Sequence, residues 1–232
     1  MKIFALSDLH LSINNPKPMN IFGATWDGYL ETVAADWNEK VSADDVVLIS
    51  GDISWAMYLE NAKPDLEYIA AFPGRKIILR GNHDYWWKSV SAVRNLLPEN
   101  MDALQNDSIK FENTVFCGSR GWTTPEGKTQ TESDKKIYDR EVIRMGLSLA
   151  DAAKKRGEGD KLAVMIHYPP FNSRFEKSPF TELFEEYKVD AVIYGHLHGN
   201  VARAQKYMHL DGIDYYLTSC DMVSNKLVEI RL

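Results

Sequence analysis

Five of the six histidines, His10, His83, His167, His196 and His198, stand in short signatures at the ends of apolar runs: SDLH at 7–10, GNHD at 81–84, IHYPP at 166–170 and GHLH at 195–198. A fifth signature, Gly51-Asp52, follows VVLIS in the same way. Imidazole nitrogens and carboxylate oxygens are the ligands that hold transition metals, and imidazole is also the commonest proton carrier near neutral pH. Asp8 and His10 lie two apart, as do His196 and His198, so at an extended strand end each pair would point to one side. Alone, either pair reads more simply as a hydrogen-bonded or surface pair. Alone, Asn82 after Gly81 reads as a turn residue. Together with Asp52 and Asn82-His83, however, they form one set of strand-end groups that a parallel sheet would gather on a single edge, enough to hold two metal ions and a phosphate.

The elements that must do this gathering are visible as β-branched-rich runs: KIFALS, DVVLIS, RKIILR, NTVFCG, KLAVMI, DAVIYG, DYYLTS and KLVEIRL. They are continuous, not alternating, which predicts strands covered on both faces. Helical patterns fall between them at 28–40, 58–71, 85–97, 134–156 and 180–188, with Gly157 at a C-cap position. Eight strands are many for one sheet, and the last two have no helix between them, so the expected fold is an α/β domain with two facing sheets. One domain spanning 1–232 is expected from 232 residues that are 44% apolar. The long polar, Pro/Gly-punctuated segments 11–27, 119–133 and 168–180 are expected to form the rim above the signatures.

Composition bounds the partners. A net charge of −6 and a pI near 5.6 give no general attraction for nucleic acid or an anionic membrane, although a local metal centre would still attract phosphate. Nucleic acid is therefore not favoured, but the bulk charge does not choose the substrate. Only Cys117 and Cys220 are present, too few for a disulfide framework. No stretch reaches the length of a membrane span, and the first residues carry neither a secretory nor a transit pattern, so a cytoplasmic location is expected.

The ordered set DLH, GD, GNHD, a lone histidine after a strand, and GHLH resembles the calcineurin-like metallophosphoesterases, of the broader bacterial and archaeal phosphoesterase-like branch, over residues 8–198. The resemblance implies a four-layer α/β/β/α sandwich with two facing mixed sheets and a dinuclear metal site. It assigns one ion to Asp8, His10, Asp52 and His198, and the other to Asp52, Asn82, His167 and His196, with Asp52 bridging. It also implies two divalent or mixed-valence transition-metal ions, and the thiolate-free ligand set suits manganese, iron or zinc. Two ions about 4 Å apart would polarise a phosphoryl oxygen and supply a bridging hydroxide as nucleophile. His83 would contact the phosphate and assist the leaving oxygen. Asp84 either orients His83 or caps a helix starting at Tyr85. Arg80 resembles the arginine at this point in protein Ser/Thr phosphatases and would bind phosphate or form a structural ion pair.

That phosphatase branch carries GDxxDRG, whereas this chain reads GDISWAM at 51–57, with Trp55 and Ala56 in place of the Asp and Arg. The expected activity is therefore hydrolysis of a phosphoester, more specifically a diester. A phosphomonoesterase or nucleotide pyrophosphohydrolase is the alternative within enzymes, and a noncatalytic metal-binding scaffold is the alternative of another class. The scaffold is disfavoured because every ligand position and His83 carry competent residues. Trp26, Trp55, Trp86, Trp87 and Trp122 near the signatures read first as packing and second as a wall for a planar group. Arg120 and Arg174 read first as solvated surface groups and second as contacts for a second part of the substrate, and His209 reads as structural.

Overall fold

The computed structural model describes residues 1–127, 131–199 and 204–232. Eleven strands form two sheets among these residues. The first contains β1 (Ile3–Ala5), β2 (Val46–Ile49), β3 (Arg75–Leu79), β4 (Met101–Leu104) and, beside β1, the antiparallel edge strand β11 (Val228–Ile230). The second contains β5 (Ser108–Phe111), β6 (Thr114–Ser119), β7 (Lys161–Ile166), β8 (Ala191–Tyr194), β9 (Tyr207–Leu210) and β10 (Ile213–Leu217), in the order β5-β6-β7-β8-β10-β9. Four strands in each sheet run parallel, and only the edges β11, β5 and β9 are antiparallel.

The continuous apolar runs are explained by what covers them. Along β2, Val46 and Leu48 face the second sheet, where they join Phe116, Ala163, Met165 and Ile193. Val47 and Ile49 face outward and pack with Val33, Trp37, Leu66 and Ile69. Those outer residues belong to α1 (Tyr29–Lys40) and α2 (Leu59–Ala70), joined on this side by α3 (Val90–Leu96). On the far side, Val115, Val164 and Val192 pack with Met145, Leu149, Phe180 and Phe184 of α4 (Glu132–Lys155) and α5 (Pro179–Glu186). Successive side chains of a strand point to opposite faces, so a strand with a helix layer on one side and a sheet on the other must be apolar at every position. The result is the expected four-layer α/β/β/α sandwich.

Several boundaries differ from the sequence expectation. The third helix begins at Val90, not 85, because Ser89 accepts the Ala92 amide as its N-cap while Trp86 and Trp87 are pulled into the core of the preceding turn. Asp84 thus caps no helix. The fourth helix ends at Lys155 with an extended Arg156 as C-cap, and Asp160 takes the Gly157 amide at 2.6 Å. β4, β5 and β9 are additional strands, each four residues long. Among the described residues, no helix is long and apolar enough to cross a membrane.

The inter-sheet layer is the part of the core most sensitive to truncation, since neither backbone can close on a void between two sheets. Phe116 is fully buried there. Phe116→Ala is expected to cost about 3–5 kcal/mol of stability, measured by denaturant unfolding of the purified protein. A loss below about 1 kcal/mol would show that the layer can collapse around the gap.

Candidate metal centre

The signatures do not sit on the strands but on loops that leave their C-terminal ends. β1 stops at Ala5 and β8 at Tyr194, and the ligand candidates beyond them adopt left-handed backbone: Asp8 at φ 59°, His10 at 48°, Asp52 at 51° and His196 at 71°. The extended geometry expected for Asp8-Leu9-His10 and His196-Leu197-His198 is therefore replaced by tight turns that bring the side chains together. Such conformations cost of order 1–3 kcal/mol each for a residue with a side chain and persist only where neighbours enforce them. Here the enforcing bonds are backbone to backbone, with Asp8 N donating to Gly51 O at 3.0 Å and His10 N to Asp52 O at 3.0 Å.

All seven ligand candidates converge. Asp8, His10 and His198 place ligand atoms within 4.8 Å of one another, as do Asp8, Asp52 and His167. His198 Nε2 lies 3.5 Å from Asp8 Oδ1 and 3.4 Å from His10 Nε2, and His10 Nε2 lies 3.9 Å from Asp52 Oδ2. On the other side, Asn82 Oδ1 lies 2.7 Å from His167 Nε2 and 2.9 Å from His196 Nδ1, with Asp52 Oδ2 3.5 Å from His167 Nε2. Asp52 thus faces both groups.

The donor set fits transition-metal ions. His167 Nδ1 donates to Ser50 O at 2.9 Å, which leaves Nε2 as a lone pair facing Asn82 Oδ1 and Asp52 Oδ2. With Asp52 ionised the three are acceptors aimed at one another, an arrangement that a cation between them would relieve. His198 Nδ1 is tied to Asp221 Oδ1 at 2.8 Å in the same manner, and Asp221 Oδ2 also takes the Gly199 amide at 2.8 Å. Sequence reasoning did not find Asp221. Its signal was present, since Asp221 follows DYYLTSC at the end of a strand run just as Asp8 and Asp52 do, but no histidine accompanies it.

Protonation reflects crowding. Burial, ahead of the charges of Asp8 and Asp84, pushes the Asp52 carboxyl up to about 9, whereas Asp8, although burial opposes it, is held at about 2 by its hydrogen bond to His198 and by nearby imidazoles. Burial lowers His10 to about 3 and His196 to about 4, and also lowers His167 and His83. His198 goes the other way. Burial disfavours its charge, yet hydrogen bonds to Asp221 and Asp8 raise it to about 10.

His83 lies beside the ligands, its ring centroid 4.9 Å from that of Trp55 and 5.6 Å from that of His10, and its buried Nδ1 has no hydrogen-bond partner among the described residues. Asp84 does not bond that ring. It accepts from Gly81 N at 2.7 Å, Ile53 N and Trp86 Nε1 at 2.9 Å, and Ser54 N at 3.2 Å, locking the GD loop to the GNHD loop. Arg80 is half-buried at the mouth of that turn, with Nε unpartnered among the described residues.

The tryptophans divide by position. Trp86 and Trp87 are fully buried and Trp26 nearly so, as packing predicts, although Trp26 also edges His10 with ring centroids 6.1 Å apart. Trp55 stacks on His10 with centroids 4.7 Å apart and opens on its other side into a cavity of about 400 Å³ lined by Lys17, Tyr58 and Asn61. Trp122 reaches the centre through Tyr168, which lies 4.2 Å from His196. Phe171 is in the α4–α5 core, and Arg174 pairs with Glu176 on the exposed rim. His209 is exposed on β9, bonded to Asp214, away from the centre. Residues 128–130 of the 119–133 loop lie outside the described residues.

Asp52 and His198, both raised, carry protons near neutral pH in the absence of metal, and a bound cation must displace them. Metal uptake at that pH is therefore expected to release protons, and apparent affinity to rise as pH increases toward about 9. Calorimetric titration with Mn²⁺ in two buffers of different ionisation enthalpy measures the release. Asp221→Asn is expected to weaken metal binding about 10–100-fold by freeing the His198 ring; unchanged affinity would remove Asp221 from the centre.

Comparison with known proteins places this geometry. No curated protein matches the sequence. Among solved structures, the phosphopantetheinyl hydrolase PptH from Mycobacterium tuberculosis is similar at 14% identity and TM-score 0.57, over 99% of this chain and 95% of that one. TT1561 of Thermus thermophilus is similar at 12% identity and TM-score 0.57, over 99% and 97%. The protein of unknown function AQ665 from Aquifex aeolicus is similar at 16% identity and TM-score 0.50, over 98% and 95%. At these identities the likeness concerns the fold. The family itself is given by sequence, because the calcineurin-like phosphoesterase family model matches residues 1–200, the span that holds every ligand candidate named above. With that match on a chain whose strand-end loops bring those ligands together, the protein belongs to the calcineurin-like phosphoesterases, metal-dependent hydrolases of phosphoester bonds.

Proposed function

We propose that the chain hydrolyses a phosphodiester at a dinuclear centre held by Asp8, His10, Asp52, Asn82, His167, His196 and His198, with manganese, iron or zinc as its metals. The observation that carries this reading is the convergence of those seven side chains beside His83, whose buried Nδ1 has no hydrogen-bond partner among the described residues. When bound, the ions supply Lewis-acid polarisation of the phosphoryl group and lower the pKa of water.

The protein's own groups do the rest. Asp52 faces both ligand groups and aligns the GNHD loop through the His83 amide, which donates to Asp52 Oδ1 at 2.8 Å. His83 is positioned by Trp55 and Tyr85 rather than by a hydrogen bond, so its ring can offer a proton to a departing oxygen. Burial lowers its pKa, an effect the neighbouring Asp84 charge opposes. Asp84 acts through the loop it braces, and Arg80, directly before that loop with its Nε unpartnered among the described residues, is assigned to an anionic oxygen of the substrate.

Diester preference is supported by GDISWAM at 51–57, where indole and methyl groups stand in place of the charged pair of the protein phosphatases. Trp55 offers an apolar surface to an ester substituent and no charge to a terminal phosphate. PptH is named as a phosphopantetheinyl hydrolase, and its likeness in fold is consistent with such a substrate class without selecting it. A cytoplasmic location fits the buried, unpaired Cys117 and Cys220.

With added Mn²⁺, bis(p-nitrophenyl) phosphate is expected to be cleaved with higher kcat/KM than p-nitrophenyl phosphate. Faster turnover of the monoester would overturn the diester assignment. His83→Ala is expected to keep metal content, measured by elemental analysis, and to lose roughly 10²–10⁴-fold in kcat. Asp52→Asn is expected to lose both metal and turnover, and full activity in that variant would end the dinuclear proposal.

A further inference from the structure

Beside the metal centre, two guanidinium groups converge on one buried carboxylate, and a third, Arg80, lies within reach of their charges. Arg120 follows the end of β6, and its carbonyl accepts the amides of His167 at 3.0 Å and Tyr168 at 3.2 Å, so its position is fixed to a ligand-bearing loop. Its Nη2 lies 3.7 Å from Glu141 Oε1, but that oxygen is already held by Arg144 at 2.6 Å. Arg80, which precedes the Gly81-Asn82 turn, is half-buried and has an Nε unpartnered among the described residues. Burial and the charges of Arg120 and Arg144 all act against its own charge, and Asp84 and Glu141 oppose them. Asp84 is already committed to four donors, and Glu141 is buried beneath the pair it serves.

Arg120 and Arg144 share one carboxylate, and Arg80 stands near enough to feel both of their charges. Like charges held this close without a counter-ion are unfavourable, and a guanidinium fork is suited to the paired oxygens of a phosphate. The arrangement is also rigid. Arg120 lies over the Trp122 ring at 4.9 Å, Trp122 contacts Tyr168, and Tyr168 contacts His196 with centroids 4.2 Å apart, so an aromatic bridge connects the guanidinium to a metal ligand. Arg174, by contrast, is exposed and balanced by Glu176.

We propose that Arg120, with Arg80 and Arg144, forms a second anion subsite next to the metal centre, and that the substrate is a disubstituted phosphate, one of whose substituents carries a further phosphate group. The subsite deepens the phosphodiester reading and rests on it for the identity of the reacting phosphorus, but not for the binding of the second anion. Arg120 and Arg144 are specificity-determining residues under this assignment, since they would recognise the substituent and not the reacting atom.

Inorganic pyrophosphate is the probe, titrated by calorimetry into the dialysed, metal-free protein, with orthophosphate for comparison. Pyrophosphate is expected to bind more tightly than orthophosphate, and R120Q and R144Q are each expected to weaken it about tenfold, the range for losing one charge-assisted contact. R174Q is expected to bind as the parent does. Equal affinity of R120Q, R144Q and parent, or no pyrophosphate binding at millimolar concentration, would overturn the subsite. Thermal melting checks that R120Q folds. Should it fail, R144Q, whose side chain is 42% exposed, carries the same test. Loss of bis(p-nitrophenyl) phosphate hydrolysis by the manganese-loaded parent would count against the phosphodiester reading alone, because the calorimetry requires neither metal nor turnover.

Discussion

Asp8 and Asp52 occupy their positions because the loops that cross them have no side chain at the crossing. A Cβ on Gly81 would overlap Asp52 Oδ1 and the Asp52 amide, and one on Gly195 would overlap Asp8 Oδ2. These contacts are the constraint on which the centre depends. Each glycine is the first residue of a ligand signature, so the absence of a methyl group sets how closely Asn82, His83, His196 and His198 approach the carboxylates. The vacated space is used at once: His196 N donates to both oxygens of Asp8, at 3.1 and 3.0 Å, and His83 N donates to Asp52 Oδ1. Charge-assisted bonds of this kind offset the left-handed backbone of Asp8, Asp52 and His196.

The same edge also joins the two sheets. Ser7 N donates to Thr218 O at 2.8 Å and Ser50 Oγ to Ile193 O at 3.2 Å, so residues leaving β1 and β2 are bonded to the residue after β10 and to β8. Deeper between the layers, the sheets meet through apolar side chains. Non-directional packing fixes the distance between layers but tolerates sliding, whereas hydrogen bonds between buried hydroxyls and carbonyls fix register. Ligands contributed by different sheets, such as Asp52 and His167, are thereby held within a few ångströms of each other.

This division explains what could be read from the chain before folding. The layered architecture was legible because burial on both faces leaves an unbroken apolar run, and the seven ligand candidates plus His83 could be named because chemistry-bearing residues closed those runs. The short strands β4 and β9 were not, since MDAL and YMHL mix polar and apolar residues and gain their strand form from pairing with β3 and β10. The third helix was extended too far because the double tryptophan at 86–87 resembles helical apolar content, whereas Asp84 holds those residues in a turn. Asp221 was missed because it supports a ligand without being one. Support through a hydrogen bond leaves no spacing pattern, and only the folded chain places it against His198.

Electrostatics at the centre run opposite to the whole molecule. A chain with net charge −6 repels phosphate at long range, yet the field that a bound ester meets is set within a Debye length of about 8 Å at physiological salt. Inside that radius, metal cations would face four imidazoles and two carboxylates, and the arginines assigned to the proposed subsite would add positive charge that Glu141 partly offsets. Bulk acidity therefore weakens nonspecific attachment to polyanions and leaves capture of a small phosphoester to local groups. Affinity then depends on how many of the substrate's charges reach that zone, so a substituent bearing its own phosphate gains where a neutral one does not. Under the proposed subsite, the net negative charge would disfavour long polyanions while the arginine cluster would discriminate among small ones.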